Sequence, residues 1–123
     1  MNRALGIIES YRDKDSESMC QPLTEITFFE RFEADILHGV KTITLRDKSE
    51  SGVYPGQVLP VATFEQQRHF CNIEVLAITP IAFSALTELE AAQENMTLSQ
   101  LQQVIQQIYP GITELYKISF RLI

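Results

Sequence analysis

The segment Tyr116–Leu122 restricts the fold more than any other. Tyr116, Ile118, Phe120 and Leu122 are apolar, while Lys117, Ser119 and Arg121 between them are polar. A two-residue period separates these sets onto opposite faces of an extended chain, which no helix can do. The segment is therefore predicted to be a strand with one face on a core and one on water. Such a strand needs partner strands and a covering layer.

Further strand patterns are present. Lys41 to Asp47 is β-branched and alternating. Gln57 to Phe64 reads as a second strand, with Pro60 placing it at an edge or a bulge. Arg68 to Thr79 reads as a third, with Cys71, Ile73 and Val75 on one face and Pro80 ending it. The short connection between these two predicts an antiparallel hairpin. Ser49 to Gly56, with Gly52, Pro55 and Gly56, is a loop.

Helical signals lie between and around them. Thr27-Phe-Phe-Glu30 fits a capping box, and Phe28, Phe29, Phe32, Ile36 and Leu37 follow at helical spacing, so a helix is expected over 27–38 with Gly39 as its left-handed stop. Ala85 to Gln93 is a short helix candidate. Thr97-x-x-Gln100 repeats the capping pattern ahead of a stripe of Leu98, Leu101, Val104, Ile105 and Ile108, which Pro110-Gly111 stops. Gln102, Gln103, Gln106 and Gln107 then belong to the solvated side of that helix. Four or five strands and two or three helices make an α+β fold. A small, partly closed barrel with helices over its ends fits best.

A chain of 123 residues with 45% apolar residues is sized for one domain. Residues 9–18, ESYRDKDSES, are polar and aperiodic. Residues 1–22 are expected to be a flexible N-terminal extension and 23–123 the folded domain. The apolar stretch Ala4–Ile8 is short for a secretory signal, and no run reaches the ~20 residues of a membrane span. A cytoplasmic protein is expected. With a net charge of -6 no basic face for duplex nucleic acid is visible, a local basic cleft aside, and the balance favours a small ligand. Cys20 and Cys71 suggest two reduced thiols, and neither they nor His38 and His69 have zinc-like spacing.

Gly39-Val-Lys-Thr-Ile-Thr-Leu-Arg46 admits two readings. In the plainer one, Ile43 and Leu45 are core, the threonines face outward and Arg46 is solvated. In the other, Lys41 is a base for the Thr44 hydroxyl, a variant of the nucleophile–base pair. Lysine has to be neutral for this, and desolvation lowers its ordinary pKa of ~10.4. Residues 41 and 44 fall on opposite faces of a flat strand. They converge only if Lys41 precedes the regular strand, or if a bulge or strong twist lies between them. Gly39 allows an irregular entry. Glu94, just before the capped helix at Thr97, is a second candidate, either as an exposed loop acid or as a carboxyl facing a cleft. Glu74 competes, but its mid-strand position suits the sheet surface.

The pattern Gly39-x-Lys41-x-x-x-x-Arg46 resembles the signature of the ASCH domain, a PUA-like mixed β-barrel. Thr44 stands where that group often has glutamate, and this departure matches one branch, the bacterial N4-acetylcytidine amidohydrolases. The likeness runs from about Glu25 to the C-terminus. It includes Ile26-Thr-Phe-Phe29, Lys41-Thr-Ile-Thr44, Arg46-Asp47, Ser49-Glu-Ser51, Phe70-Cys71, Ile73-Glu-Val75, Gln93-Glu-Asn-Met-Thr-Leu98 and Ile108-Tyr-Pro-Gly111. The resemblance implies an ASCH fold and a hydrolase acting on a linear amide C–N bond, without metal or cofactor. The implied reaction releases cytidine and acetate from N4-acetylcytidine. It also implies that Lys41 is the catalytic lysine, Thr44 the nucleophile and Glu94 the catalytic glutamate. Arg46, on the face of Thr44, is the candidate for a polar substrate contact, and Phe28, Phe29, Phe70 and Tyr109 are candidates for stacking on the base. The expected partner is a small acetylated cytosine nucleoside, with no membrane and no duplex; the net charge disfavours RNA. A non-catalytic RNA- or nucleotide-binding module is the main alternative, and an acidic interaction protein without a pocket a third reading.

Overall fold

A computed structural model describes residues 23–123. The expected extension over 1–22, with Cys20, lies outside the described residues. Five strands among the described residues, β1 (Ile26–Phe28), β2 (Ile43–Arg46), β3 (Val58–Thr63), β4 (His69–Ala82) and β5 (Glu114–Leu122), form one sheet in the order β1-β3-β4-β5-β2. The β1–β3 pair is parallel and the other three are antiparallel, so the sheet is mixed. Three helices accompany it, α1 (Glu33–Leu37), α2 (Glu88–Gln93) and α3 (Leu98–Ile108). This is an α+β half-barrel. None of the described helices is long and apolar enough to cross a membrane.

Register shifts between Val61 and Ala62 and between Val75 and Ala77 help the sheet curl, since an extra residue on one strand bends it and increases its twist. The curl brings the two outermost strands together: Arg46 at the end of β2 donates from Nη2 to the Thr27 carbonyl of β1 at 2.8 Å. Apolar residues fill both sides. Ile26, Phe28, Val61, Ile73, Val75, Ile118 and Phe120 pack inside the curl. Ile43, Leu45 and Leu115 pack against Leu101 and Ile105 of α3 and against Ala91 of α2.

The predicted β3–β4 hairpin and the helix over Leu98–Ile108 are observed, and the Thr97–Gln100 capping box forms in both directions. The helix expected over 27–38 does not form as such. Ile26–Phe28 is a strand, a single 3-10 turn follows at Glu30–Phe32, and only Glu33–Leu37 is α-helical. Thr27 caps nothing, because burying Ile26 and Phe28 beside β3 outweighs the local capping preference. Gly39 does hold the left-handed conformation, with φ 76°.

Pro80 does not end β4, which continues to Ala82. The β3 pairing stops at Glu74, so at Pro80 the strand has only β5 beside it, and a nitrogen without hydrogen is tolerated there. Pro60 lies in an interior strand, one residue outside the short β1 pairing and next to the bulge. In β5, Ile118 and Phe120 are buried as expected, but Leu122 is 39% exposed and Leu115 is buried on the helix side instead. The short helix expected within 85–93 is α2, and its own capping box, Thr87 with Glu90, was not anticipated.

Candidate active site

The chain leaves α1 through Gly39 and does not enter β2 at once. The Val40 and Lys41 N–H groups both donate to the Asp35 carbonyl, at 3.0 and 3.1 Å, and Thr42 N–H donates to the Gln93 carbonyl at 2.8 Å. Lys41 is thus held by a turn, and the regular ladder begins at Ile43. This is the irregular entry that convergence of residues 41 and 44 requires. Lys41 and Thr44 line the same pocket.

Both faces of β2 are covered. Ile43, Thr44 and Leu45 are all buried, so Thr44, at 4% exposure, does not face outward as the plainer sequence reading has it. Ile43 and Leu45 face the helices, and Thr44 and Arg46 face the cavity. Arg46 Nε donates to Thr44 Oγ1 at 2.6 Å. Its Nη1 donates to Glu50 Oε1 at 2.6 Å. The Arg46 side chain is therefore not solvated but anchored at the pocket wall.

Glu94 arrives from the other side as the C-cap of α2. Its N–H bonds the Glu90 and Ala91 carbonyls at 3.1 Å, and Asn95 turns the chain with φ 60°. The Glu94 side chain is buried and accepts from Lys41 Nζ through Oε1. Burial pushes the Lys41 ammonium below the ordinary lysine range, against the opposing pull of Glu94. Burial also works against the Arg46 charge, but the acidic groups around it, Glu50 foremost, together more than offset it, and Arg46 stays cationic. Burial, reinforced by Glu50, keeps the Tyr109 hydroxyl protonated.

The cavity holds about 80 Å³ and opens to solvent, a concave, mainly apolar site of the kind that takes small ligands. Its walls combine two cations, Lys41 and Arg46, with two carboxylates, Glu50 and Glu94. Such a balanced set suits an uncharged polar ligand. Phe28, Phe29 and Tyr109 line it as expected of stacking candidates, whereas Phe70 packs against the interior of the curl instead. Phe32, Phe64 and Glu50 also line the cavity and were not singled out from the sequence. Phe28 lies between the cations, its ring centroid 5.5 Å from Lys41 Nζ and 4.8 Å from Arg46 Cζ. Glu74 is far from this chemistry in role: it pairs with Arg121 at the surface.

No family model matches the chain. Proteins named N(4)-acetylcytidine amidohydrolase are similar to it. That of Shewanella sp. strain MR-4 is 63% identical over 101 residues, spanning 82% of this chain and 98% of the relative. Those of Shewanella oneidensis and Shewanella baltica strain OS155 are 62% and 58% identical over 101 residues, covering 82% of this chain and 97% and 96% of theirs. Among solved structures, the ASCH domain of Lactobacillus crispatus JV V101 superposes with TM-score 0.65 at 16% identity, over 99% of this chain and 94% of that one. A protein of Enterococcus faecalis V583 gives TM-score 0.68 at 16% identity, over 100% and 90%. At such identities these structures speak for the fold alone.

Proposed function

The chain belongs to the N(4)-acetylcytidine amidohydrolase family, and from that premise we propose that it hydrolyses the exocyclic amide of N4-acetylcytidine to cytidine and acetate, in the cytoplasm, without a metal. One observation carries the assignment of this pocket: a lysine and a glutamate are buried against each other on a wall that also bears a buried threonine. Burying such a pair is costly, and ionisable groups perturbed by burial and gathered in a cleft are the mark of a functional site.

In the proposed reaction Lys41, which burial pushes toward its neutral form, takes the proton of Thr44 Oγ1 as a free amine. The resulting alkoxide attacks the acetyl carbonyl carbon. Negative charge moves to the carbonyl oxygen, where N–H groups of Arg46 not engaged with Glu50, Thr27 or Thr44 supply donors. The amide C–N bond then breaks. The exocyclic nitrogen leaves with a proton from Glu94 or from protonated Lys41. Water, deprotonated by the same pair, cleaves the acetyl-threonine ester and releases acetate, which restores the Thr44 hydroxyl. Phe28, Phe29 and Tyr109 are the proposed surfaces for the cytosine ring. The balanced charge of the pocket supports a neutral nucleoside over a polyanion such as RNA.

The test is a spectrophotometric assay. Purified protein mixed with N4-acetylcytidine should erase the ultraviolet band of the acetylated base. Thr44→Ala should stop the loss, and Thr44→Ser should retain part of it. Equal inactivity of both variants would turn the reading toward direct attack by water. Binding without any turnover by the wild type would leave a non-catalytic nucleoside-binding module.

A further inference from the structure

We infer that Glu50 is a positioning residue, holding the Arg46 guanidinium so that its Nε–H points at the Thr44 hydroxyl. The inference rests on the reading of Thr44 as nucleophile. A guanidinium is a rigid planar fork, so fixing two of its nitrogens determines where the third points. In this pocket Nη1 is fixed by Glu50 Oε1 at 2.6 Å and Nη2 by the Thr27 carbonyl at 2.8 Å. What remains, Nε–H, meets Thr44 Oγ1 at 2.6 Å.

Glu50 is itself held. It ends a 3-10 turn, Lys48–Glu50, which Asp47 caps by accepting from Ser49 N at 3.1 Å and from Ser49 Oγ at 2.7 Å. The Arg46 and Glu50 side chains are only 11% and 15% exposed, so the pair is not a solvated surface contact. The polar loop after β2 is therefore a bracket behind the nucleophile.

The chemical consequence lies at Oγ1. Donation from Arg46 fills one lone pair of the hydroxyl, turns its O–H away from the guanidinium, and stabilises negative charge on the oxygen once the proton has gone. An interaction that strengthens as the alkoxide forms raises kcat and leaves substrate binding nearly untouched.

Two variants and two measurements test this. Glu50→Ala should lower kcat by about tenfold or more with KM held within about twofold. Glu50→Gln, which keeps an acceptor for Nη1, should recover much of that loss. In ¹H–¹⁵N spectra the Arg46 Nε–H signal, assigned by its disappearance in Arg46→Lys, should be protected from exchange in the wild type and lost in Glu50→Ala. If Glu50→Ala fails to fold by circular dichroism, Glu50→Asp, with the charge set back by one methylene, should show the same fall in kcat with KM held. Wild-type kcat in Glu50→Ala, or in Glu50→Asp where Asp replaces it in the test, would overturn the inference. So would a loss confined to KM, which would make Glu50 a substrate contact, or an unchanged Nε–H signal. If the wild type does not turn over N4-acetylcytidine at all, the functional reading fails, and the Nε–H signal alone then decides whether Glu50 orients Arg46.

Discussion

Glu90 and Glu94 lie one helical turn apart at α2, and each meets a lysine. Glu90 Oε2 accepts from Lys117 of β5 at 2.9 Å, and Glu94 Oε1 from Lys41. The residue types are identical, yet the two pairs differ in what surrounds them. The two carboxylates are similarly buried, at 7% and 5%, but Lys117 is 20% exposed and keeps access to water, whereas Lys41 is only 4% exposed. Around Glu90, burial works to raise the carboxyl pKa, but hydrogen bonds from Lys117 and Thr87 outweigh it and hold it at about 2. Around Lys41, burial dominates and pushes the ammonium toward its neutral form. The same two side chains thus meet as a water-accessible ion pair in one place and, in the other, as a pair whose lysine burial pushes toward its neutral form. Desolvation, not residue identity, sets how far each lysine departs from its ordinary ionisation.

The largest effect should come from neutralising each lysine in turn. Lys41→Met is expected to lower kcat/KM by about 10³-fold, the scale of losing a general base. Lys117→Met should leave turnover near wild type. An equal loss in both, measured with N4-acetylcytidine, would mean that the two pairs do not differ in the way their burial suggests.

The next effect concerns pH. Activity that depends on neutral Lys41 should rise along an acidic limb centred below the ordinary lysine pKa. Glu94 holds the Lys41 pKa up. Glu94→Gln should therefore move that limb to lower pH while reducing kcat, because the proton donor to the leaving nitrogen is weakened. A limb that stays in place would separate Glu94 from Lys41 energetically.

The Glu90 pair should be visible in stability. Glu90→Ala removes both the capping-box carboxylate and the partner of Lys117, and should cost about 1–2 kcal/mol by urea unfolding. Because the folded Glu90 carboxyl titrates near 2 against an ordinary value of 4.5, its stabilisation is present above about 4.5 and is lost as pH falls toward 2. Glu90→Gln should flatten the decline of the urea midpoint across that window.

Least of all should be the surface pair Arg121–Glu74, whose arginine is 60% exposed. Arg121→Ala should change stability by less than about 0.5 kcal/mol, and Glu74→Gln should leave turnover unchanged.

Thr27, Thr87 and Thr97 show how far the sequence could be read. Each begins a Thr-x-x-Glu or Thr-x-x-Gln pattern. Two of them cap helices, and one lies in a strand. Nothing local distinguishes Thr27. Its neighbours Ile26 and Phe28 are drawn into the curl by Phe120 and the β3 ladder, which are distant in sequence. Helix α3 was legible because its stripe, cap and Pro-Gly stop agree with one another. Glu50 carries no comparable signal, since spacing of i and i+4 marks a pair on a helix, and here it spans a strand and a tight turn.

Residue order alone determined the alternating strand at the C-terminus, the strand after Gly39 and the capped α3. Those follow from local geometry and side-chain chemistry, which each short segment carries with it. Only the folded chain decided that Lys41 and Glu94 lose their water together, that Thr44 turns inward and that Arg46 is held from both edges of the curled sheet. Burial is a property of whatever covers a residue, and here the cover comes from α2, β1 and the loop after β2, segments far from one another along the sequence.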